Sequence, residues 1–205
     1  LADWDHDGDL DLIVSTTAGV SLWLNDGRFA FRDVSDRSVL PGAELRFRSI
    51  VSADWNRDLG IDVLLAGPAP GAVGWLENRR HGRLVWRPFP ADSALAAGAA
   101  RLGLSDPDGN GMWDLLTAGP NGLALNAISA TGGFFRTQVV DRGNVAGLRL
   151  WDYDNDGYQD ILSWGDSGVA FWQGTSDGRF RAVSLLEAGP LKNVQDCAVG
   201  DVDAD

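Results

Sequence analysis

Five carboxylates fall within nine residues at the start of the chain: Asp3, Asp5, Asp7, Asp9 and Asp11. The arrangement recurs as Asp54, Asn56, Asp58 and Asp62; as Asp106, Asp108, Asn110 and Asp114; and as Asp152, Asp154, Asp156 and Asp160. A fifth copy opens at Asp201 and is cut off at Asp205. Eighteen of the 29 acidic residues lie in these five stretches, whereas a charge serving only solubility would spread over the surface. Carboxylates this close repel one another, and a hard divalent cation removes that cost by taking oxygen ligands at about 2.3–2.6 Å. Gly8, Gly111 and Gly157 stand at the sixth loop position, where a tight turn suits glycine. The seventh position can offer its carbonyl, and an apolar eighth residue can anchor the loop to a sheet. The pattern matches the first nine positions of an EF-hand loop, but Val14, Leu65, Thr117 and Ser163 replace the bidentate glutamate of the twelfth. Leu59 occupies the sixth position of the second loop, where a left-handed backbone costs a non-glycine residue about 1–2 kcal/mol. The second loop is therefore expected to bind a cation weakest or not at all.

The elements that position these loops follow from their spacing. Successive loops start 51, 52, 46 and 49 residues apart, a period that indicates a propeller or solenoid. A short apolar run follows each loop: Leu12–Val14, Val63–Leu65, Leu115–Leu116 and Ile161–Leu162. These runs suit strands and are too short for helices. After a turn with Gly19, Gly74, Gly122 or Gly168 nearby comes a second strand, over Val20–Leu24, Val73–Leu76, Leu123–Leu125 and Val169–Trp172. A third is expected to begin at Arg28-Phe29, Arg83-Leu84, Phe134-Phe135 and Arg179-Phe180, and another leads into the next loop, as in Leu45–Ala53 and Val145–Trp151. The expectation is an all-β fold spanning residues 1–205, a β-propeller or segment of one. Its antiparallel blades have about four strands, and acidic loops at 3–11, 54–62, 106–114 and 152–160 join each first strand to the second. Repetition lets each sheet bury its apolar face on a neighbour. Trp4, Trp55 and Trp151, assigned to the second loop position, are expected to be core or loop-supporting residues, with part of a ligand surface as the alternative.

Composition narrows the function. A net charge of −12 disfavours nucleic acid and anionic membranes as partners. No stretch approaches the roughly 20 apolar residues of a membrane span. Cys197 is alone and is expected to be a buried, inert thiol. His6, at the fourth loop position, and His81, in the turn Arg79-Arg80-His81-Gly82-Arg83, read as solvent-facing residues rather than bases. Hydrolase, metalloprotease and nucleotide-loop motifs are absent from the sequence. Because the fifth loop is truncated, the chain is expected to be a segment of a longer protein whose targeting information lies elsewhere.

The D-x-[DN]-x-[DN]-G-x-x-D loop followed by apolar residues resembles the FG-GAP and VCBS repeats. The runs Leu22–Phe29 (LWLNDGRF) and Gly174–Phe180 (GTSDGRF) are similar to the bacterial branch found with ASPIC/UnbV and cartilage-acidic-protein-like proteins, distantly related to the integrin α-subunit propeller. The resemblance implies calcium ligands at Asp3, Asp5, Asp7 and Asp11, with the carbonyl of Asp9. It carries over to Asp54, Asn56, Asp58, Gly60 and Asp62, to Asp106, Asp108, Asn110, Met112 and Asp114, and to Asp152, Asp154, Asp156, Tyr158 and Asp160. The Phe-Gly…Gly-Ala-Pro element of the integrin type is missing, so integrin-like ligand recognition does not carry over. The function implied is a calcium-stabilised, non-catalytic propeller mediating protein or carbohydrate binding and adhesion. Extracellular, cell-surface or periplasmic placement suits loops of modest calcium affinity. The alternatives are an accessory propeller of a larger secreted enzyme and an architectural spacer.

Overall fold

The computed structural model describes residues 1–90, 95, 98–129, 134–184, 191 and 194–199. Among these residues fifteen strands form four antiparallel sheets, each a meander in which sequence neighbours pair. The first sheet holds β1 (Leu12–Thr16), β2 (Gly19–Asn25) and β3 (Phe31–Asp33). The second holds β4 (Ser49–Ala53), β5 (Asp62–Ala66), β6 (Val73–Asn78) and β7 (Leu84–Pro88). β8 (Arg101–Ser105), β9 (Asp114–Gly119), β10 (Gly122–Ile128) and β11 (Phe134–Asp141) make the third. β12 (Val145–Trp151), β13 (Asp160–Gly165), β14 (Gly168–Thr175) and β15 (Arg179–Val183) make the fourth. No helix among the described residues is long and apolar enough to cross a membrane.

The first sheet shows three strands, and Ala2 adds a single bridge to Asp11. Arg28 and Phe29 do not open β3, contrary to expectation. The Asp26 carboxylate accepts the N–H groups of Arg28 and Ala30, which prolongs the turn and leaves Phe29 left-handed at φ 59° and exposed. Residues 45–48 likewise lie outside the strand, because a 3-10 turn over Ala43–Leu45 and a left-handed Arg46 delay β4 to Ser49.

The apolar periodicity explains the burial. Along β2, Val20, Leu22 and Leu24 are buried while their neighbours are only half-covered, as alternation in a strand requires. All five residues of β5 are buried, so its continuous apolar run is covered on both faces. The chain divides into two compact units, Leu1–Leu102 and Gly103–Asp205, and the boundary falls within β8. In the first unit Val20, Leu22 and Leu24 share a core with Val63, Leu65, Leu76, Leu84 and Trp4. In the second, Leu116, Leu123 and Leu125 pack with Leu148, Ile161 and Phe180. Within each unit, then, one sheet covers the next, and the acidic loops join the first strand position to the second.

Candidate functional site

The four acidic loops share one backbone shape. At the first position Asp3, Asp54, Asp106 and Asp152 each accept the N–H groups of the fifth and sixth residues, at 2.8–3.1 Å. The fifth residue then accepts the N–H of the seventh: Asp7 from Asp9, Asp58 from Gly60, Asn110 from Met112 and Asp156 from Tyr158. Short Asp and Asn side chains reach their own backbone two to five residues on, which winds the loop tightly. The fourth and sixth residues take positive φ in every copy, as His6 and Gly8, Arg57 and Leu59, Gly109 and Gly111, and Asn155 and Gly157.

The ninth position is where each loop is fastened to its sheet. Asp11, Asp62, Asp114 and Asp160 are fully buried. One oxygen of each accepts a backbone N–H from the end of the following hairpin strand: Asn25, Asn78, Ile128 and Gly174, at 2.7–2.9 Å. The other oxygen of Asp11, Asp62 and Asp160 accepts the N–H of the second loop residue, Trp4, Trp55 or Tyr153. Pro107 stands at that place in the third loop and has no N–H to donate. Sequence reasoning assigned the anchoring to the eighth residue, and the structure corrects this. Leu10 and Trp113 are exposed, and Ile61 alone among these apolar eighth residues packs against a core cluster. The buried carboxylate anchors instead, because two charge-assisted hydrogen bonds fix a loop more firmly than one apolar contact on an exposed rim.

The loops differ at their centres. Among the described residues, oxygens of Asp3, Asp5 and Asp11 lie within 4.8 Å of one another, and so do those of Asp152, Asp154 and Asp156. Asp7 and Asp160 stand outside these two groups, and neither the second nor the third loop gathers three carboxylates in this way. Oδ1 of Asp5 is buried and accepts no hydrogen bond. An orphaned carboxylate oxygen beside two others fits a hard, oxygen-seeking cation and is costly otherwise. Burial, then the charges of Asp7 and Asp11, push the Asp5 carboxyl above the usual range. Burial also raises Asp11, against the lowering effect of the Asn25 and Trp4 N–H groups. Burial pushes Asp62 up to about 6 although Asn78, Trp55 and Asn56 donate to it.

In the second loop Leu59 itself takes the left-handed turn, at φ 68°, and Gly60 does not absorb the bend. Leu59 is 80 % exposed, so its side chain offsets little of the strain. Leu59→Gly is expected to raise stability by about 0.5–1 kcal/mol, the left-handed penalty less the added freedom of the unfolded chain. Urea unfolding in chelator checks this, and Gly157→Leu is expected to show the opposite sign.

The remaining candidates are peripheral. His6 and His81 are exposed. Trp4 is buried and belongs to the first core, and Trp55 meets Phe89 edge-on. Trp151 precedes the fourth loop, whose second residue is Tyr153, and both rings contact Phe171. Cys197 is half-buried rather than buried, and burial followed by the charge of Asp196 raises its thiol, which weakens it as a nucleophile. The fifth loop, from Asp201, lies outside the described residues.

A model of the FG-GAP-like repeat matches residues 3–65 and 152–205. The chain belongs to the FG-GAP-like repeat family. None of the curated proteins compared with this FG-GAP-like chain matches it. Among solved structures it is similar to a lectin of Agrocybe aegerita described for specific recognition of non-reducing terminal N-acetylglucosamine, at 20 % identity and a TM-score of 0.59. That match covers 86 % of this chain and 52 % of the lectin. The Photorhabdus luminescens Tc holotoxin pore matches at 17 % identity and a TM-score of 0.50, over 93 % of this chain and 9 % of that one. The FG-GAP-like chain thus spans about half the length of the lectin and under a tenth of the toxin chain. At these identities the likeness shows the fold alone, an all-β, propeller-like array of antiparallel meanders.

Proposed function

We propose that the chain is a calcium-stabilised, non-catalytic part of a β-propeller that binds carbohydrate or protein ligands outside the cytoplasm. The observation that carries the calcium reading is the convergence of Asp3, Asp5 and Asp11, with the buried Asp5 Oδ1 left without a donor. Calcium would supply charge neutralisation there. Asp3, Asp5, Asp7 and Asp11 with the Asp9 carbonyl would hold it in the first loop. Asp152, Asp154, Asp156 and Asp160 with the Tyr158 carbonyl would hold it in the fourth. Asp106, Asp108, Asn110, Asp114 and the Met112 carbonyl offer a poorer third set. Two or three ions would bring the formal charge from −12 to about −8 or −6, which favours compactness. Loops that wrap an ion in protein oxygens leave little room to activate water, so a structural role is favoured over a catalytic one. Modest-affinity loops stay filled at the roughly 10⁻⁴–10⁻³ M calcium outside cells.

A calorimetric calcium titration of the metal-stripped chain tests this reading. Two or three sites of micromolar to millimolar affinity are expected, and no uptake by a folded chain would sink it. The lectin neighbour supports a carbohydrate ligand. A second reading, an architectural element of a larger assembly, is favoured by the toxin match, which occupies only 9 % of that chain. An immobilised-glycan screen separates the two, since glycan capture abolished by chelator supports the first and no capture the second.

A further inference from the structure

We infer that the second loop, Asp54 to Asp62, is held closed by the chain's own side chains, with Arg80 of the following hairpin turn bracing the loop backbone. The inference rests on reading the first and fourth loops as calcium sites. At the centre of the second loop every side-chain polar atom of Asn56 and Asp58 is already engaged. Asn56 Oδ1 accepts the Asp58 N–H at 3.0 Å, and its Nδ2 donates to Asp58 Oδ2 at 2.9 Å. The remaining Asp58 oxygen accepts the Gly60 N–H at 2.8 Å. An amide nitrogen therefore stands where Asp5 and Asp154 present a second carboxylate oxygen, and a nitrogen donor repels a cation.

The brace comes from the hairpin turn between β6 and β7. Arg80 Nη2 donates to the Asp58 carbonyl at 3.0 Å. A relay of bonds sets the turn against the loop: Arg80 N–H donates to Asn78 Oδ1 at 2.7 Å, Asn78 N–H to Asp62 Oδ1 at 2.8 Å, and Asn78 Nδ2 to the Ile61 carbonyl at 3.1 Å. Arg80, His81 and Gly82 all take positive φ, the conformation that folds this turn. A guanidinium is always charged and cannot dissociate from its chain, so the second loop keeps its shape where calcium is scarce. The missing glycine at position 59 and the lack of a three-carboxylate group in this loop, among the described residues, agree with a site relieved of metal binding.

The test uses the full chain and three variants, Arg80→Ala, Asp58→Asn and Asp152→Asn, each titrated with calcium and melted in chelator and in saturating calcium. Arg80→Ala is expected to lower the melting temperature by about 2–4 °C, equally in both media, with unchanged stoichiometry. Asp58→Asn is expected to leave the number of calcium ions unchanged, whereas Asp152→Asn removes one. Loss of an ion in Asp58→Asn, or full rescue of Arg80→Ala by calcium, would overturn the inference. If the parent chain takes up no calcium, the reading of the first and fourth loops fails, and melting in chelator still decides the second. A lower melting temperature for Arg80→Ala there supports the arginine's role, and an unchanged one refutes it.

Discussion

Asp160→Ala is expected to destabilise the chain by about 2–5 kcal/mol in chelator, where no metal contributes. Asp160 is fully buried, and its two oxygens accept the N–H groups of Tyr153 and Gly174, both at 2.8 Å. Alanine leaves both donors without their acceptor, at about 1–3 kcal/mol each. It also frees the loop from β14, because the same carboxylate ties the loop's second residue to the strand. Asp154→Ala is the contrast. Asp154 is exposed and accepts Gln173 Nε2 at 2.6 Å, so its loss in chelator is expected to stay within about 0.5 kcal/mol. Urea midpoints of the two variants measure the difference. Equal losses would mean that the ninth-position aspartate does not fasten the loop.

The second large effect is on pH. Asp62 has its carboxyl raised from 3.8 to about 6 in the folded chain, chiefly by burial. Between those values the folded state holds a proton that the unfolded state has released. Stability in chelator therefore falls as pH rises from about 4 to about 6 and is level above, with Asp62 contributing at most about 3 kcal/mol. Asp5 and Asp11 are raised as well and act in the same direction. Calcium opposes this trend at the first loop, because ion binding needs ionised carboxylates and releases protons. The increment of stability due to calcium is accordingly expected to widen as pH rises from 4.5 to 6.5. Paired urea titrations in calcium and in chelator across that range measure it. A constant increment would mean that these carboxylates do not hold the ion.

Much of the fold was legible because its signals are local. The recurrence of Asp3, Asp54, Asp106 and Asp152 marked the repeat, and the alternation of Val20, Leu22 and Leu24 marked a strand with one buried face. The loop winding was legible for the same reason, since Asx side chains bond backbone groups only a few residues away. The ninth-position fastening was harder to see, because its partner lies 14 residues on at Asn25, Ile128 and Gly174 but 16 on at Asn78. The longer connection from Ala66 to Val73 makes that difference, and nothing in the acidic motif reports it. The Arg80 contact was invisible for a related reason: a basic turn reads as a solvated hairpin until the strands bring it back onto the loop. Phe29 misled because an apolar residue after Asp-Gly suggests a strand, whereas the Asp26 carboxylate captured the backbone first.

The distribution of complete loops has a consequence for how such a chain could lengthen or shorten. Among the described residues, Leu1–Leu102 and Gly103–Asp205 each contain one converged carboxylate group, Asp3–Asp5–Asp11 in one and Asp152–Asp154–Asp156 in the other. Each also encloses its own apolar core shared by two sheets. The pair of repeats is therefore the smallest inheritable piece that carries both a covered core and a complete acidic loop. Duplication or deletion by pairs preserves both at once.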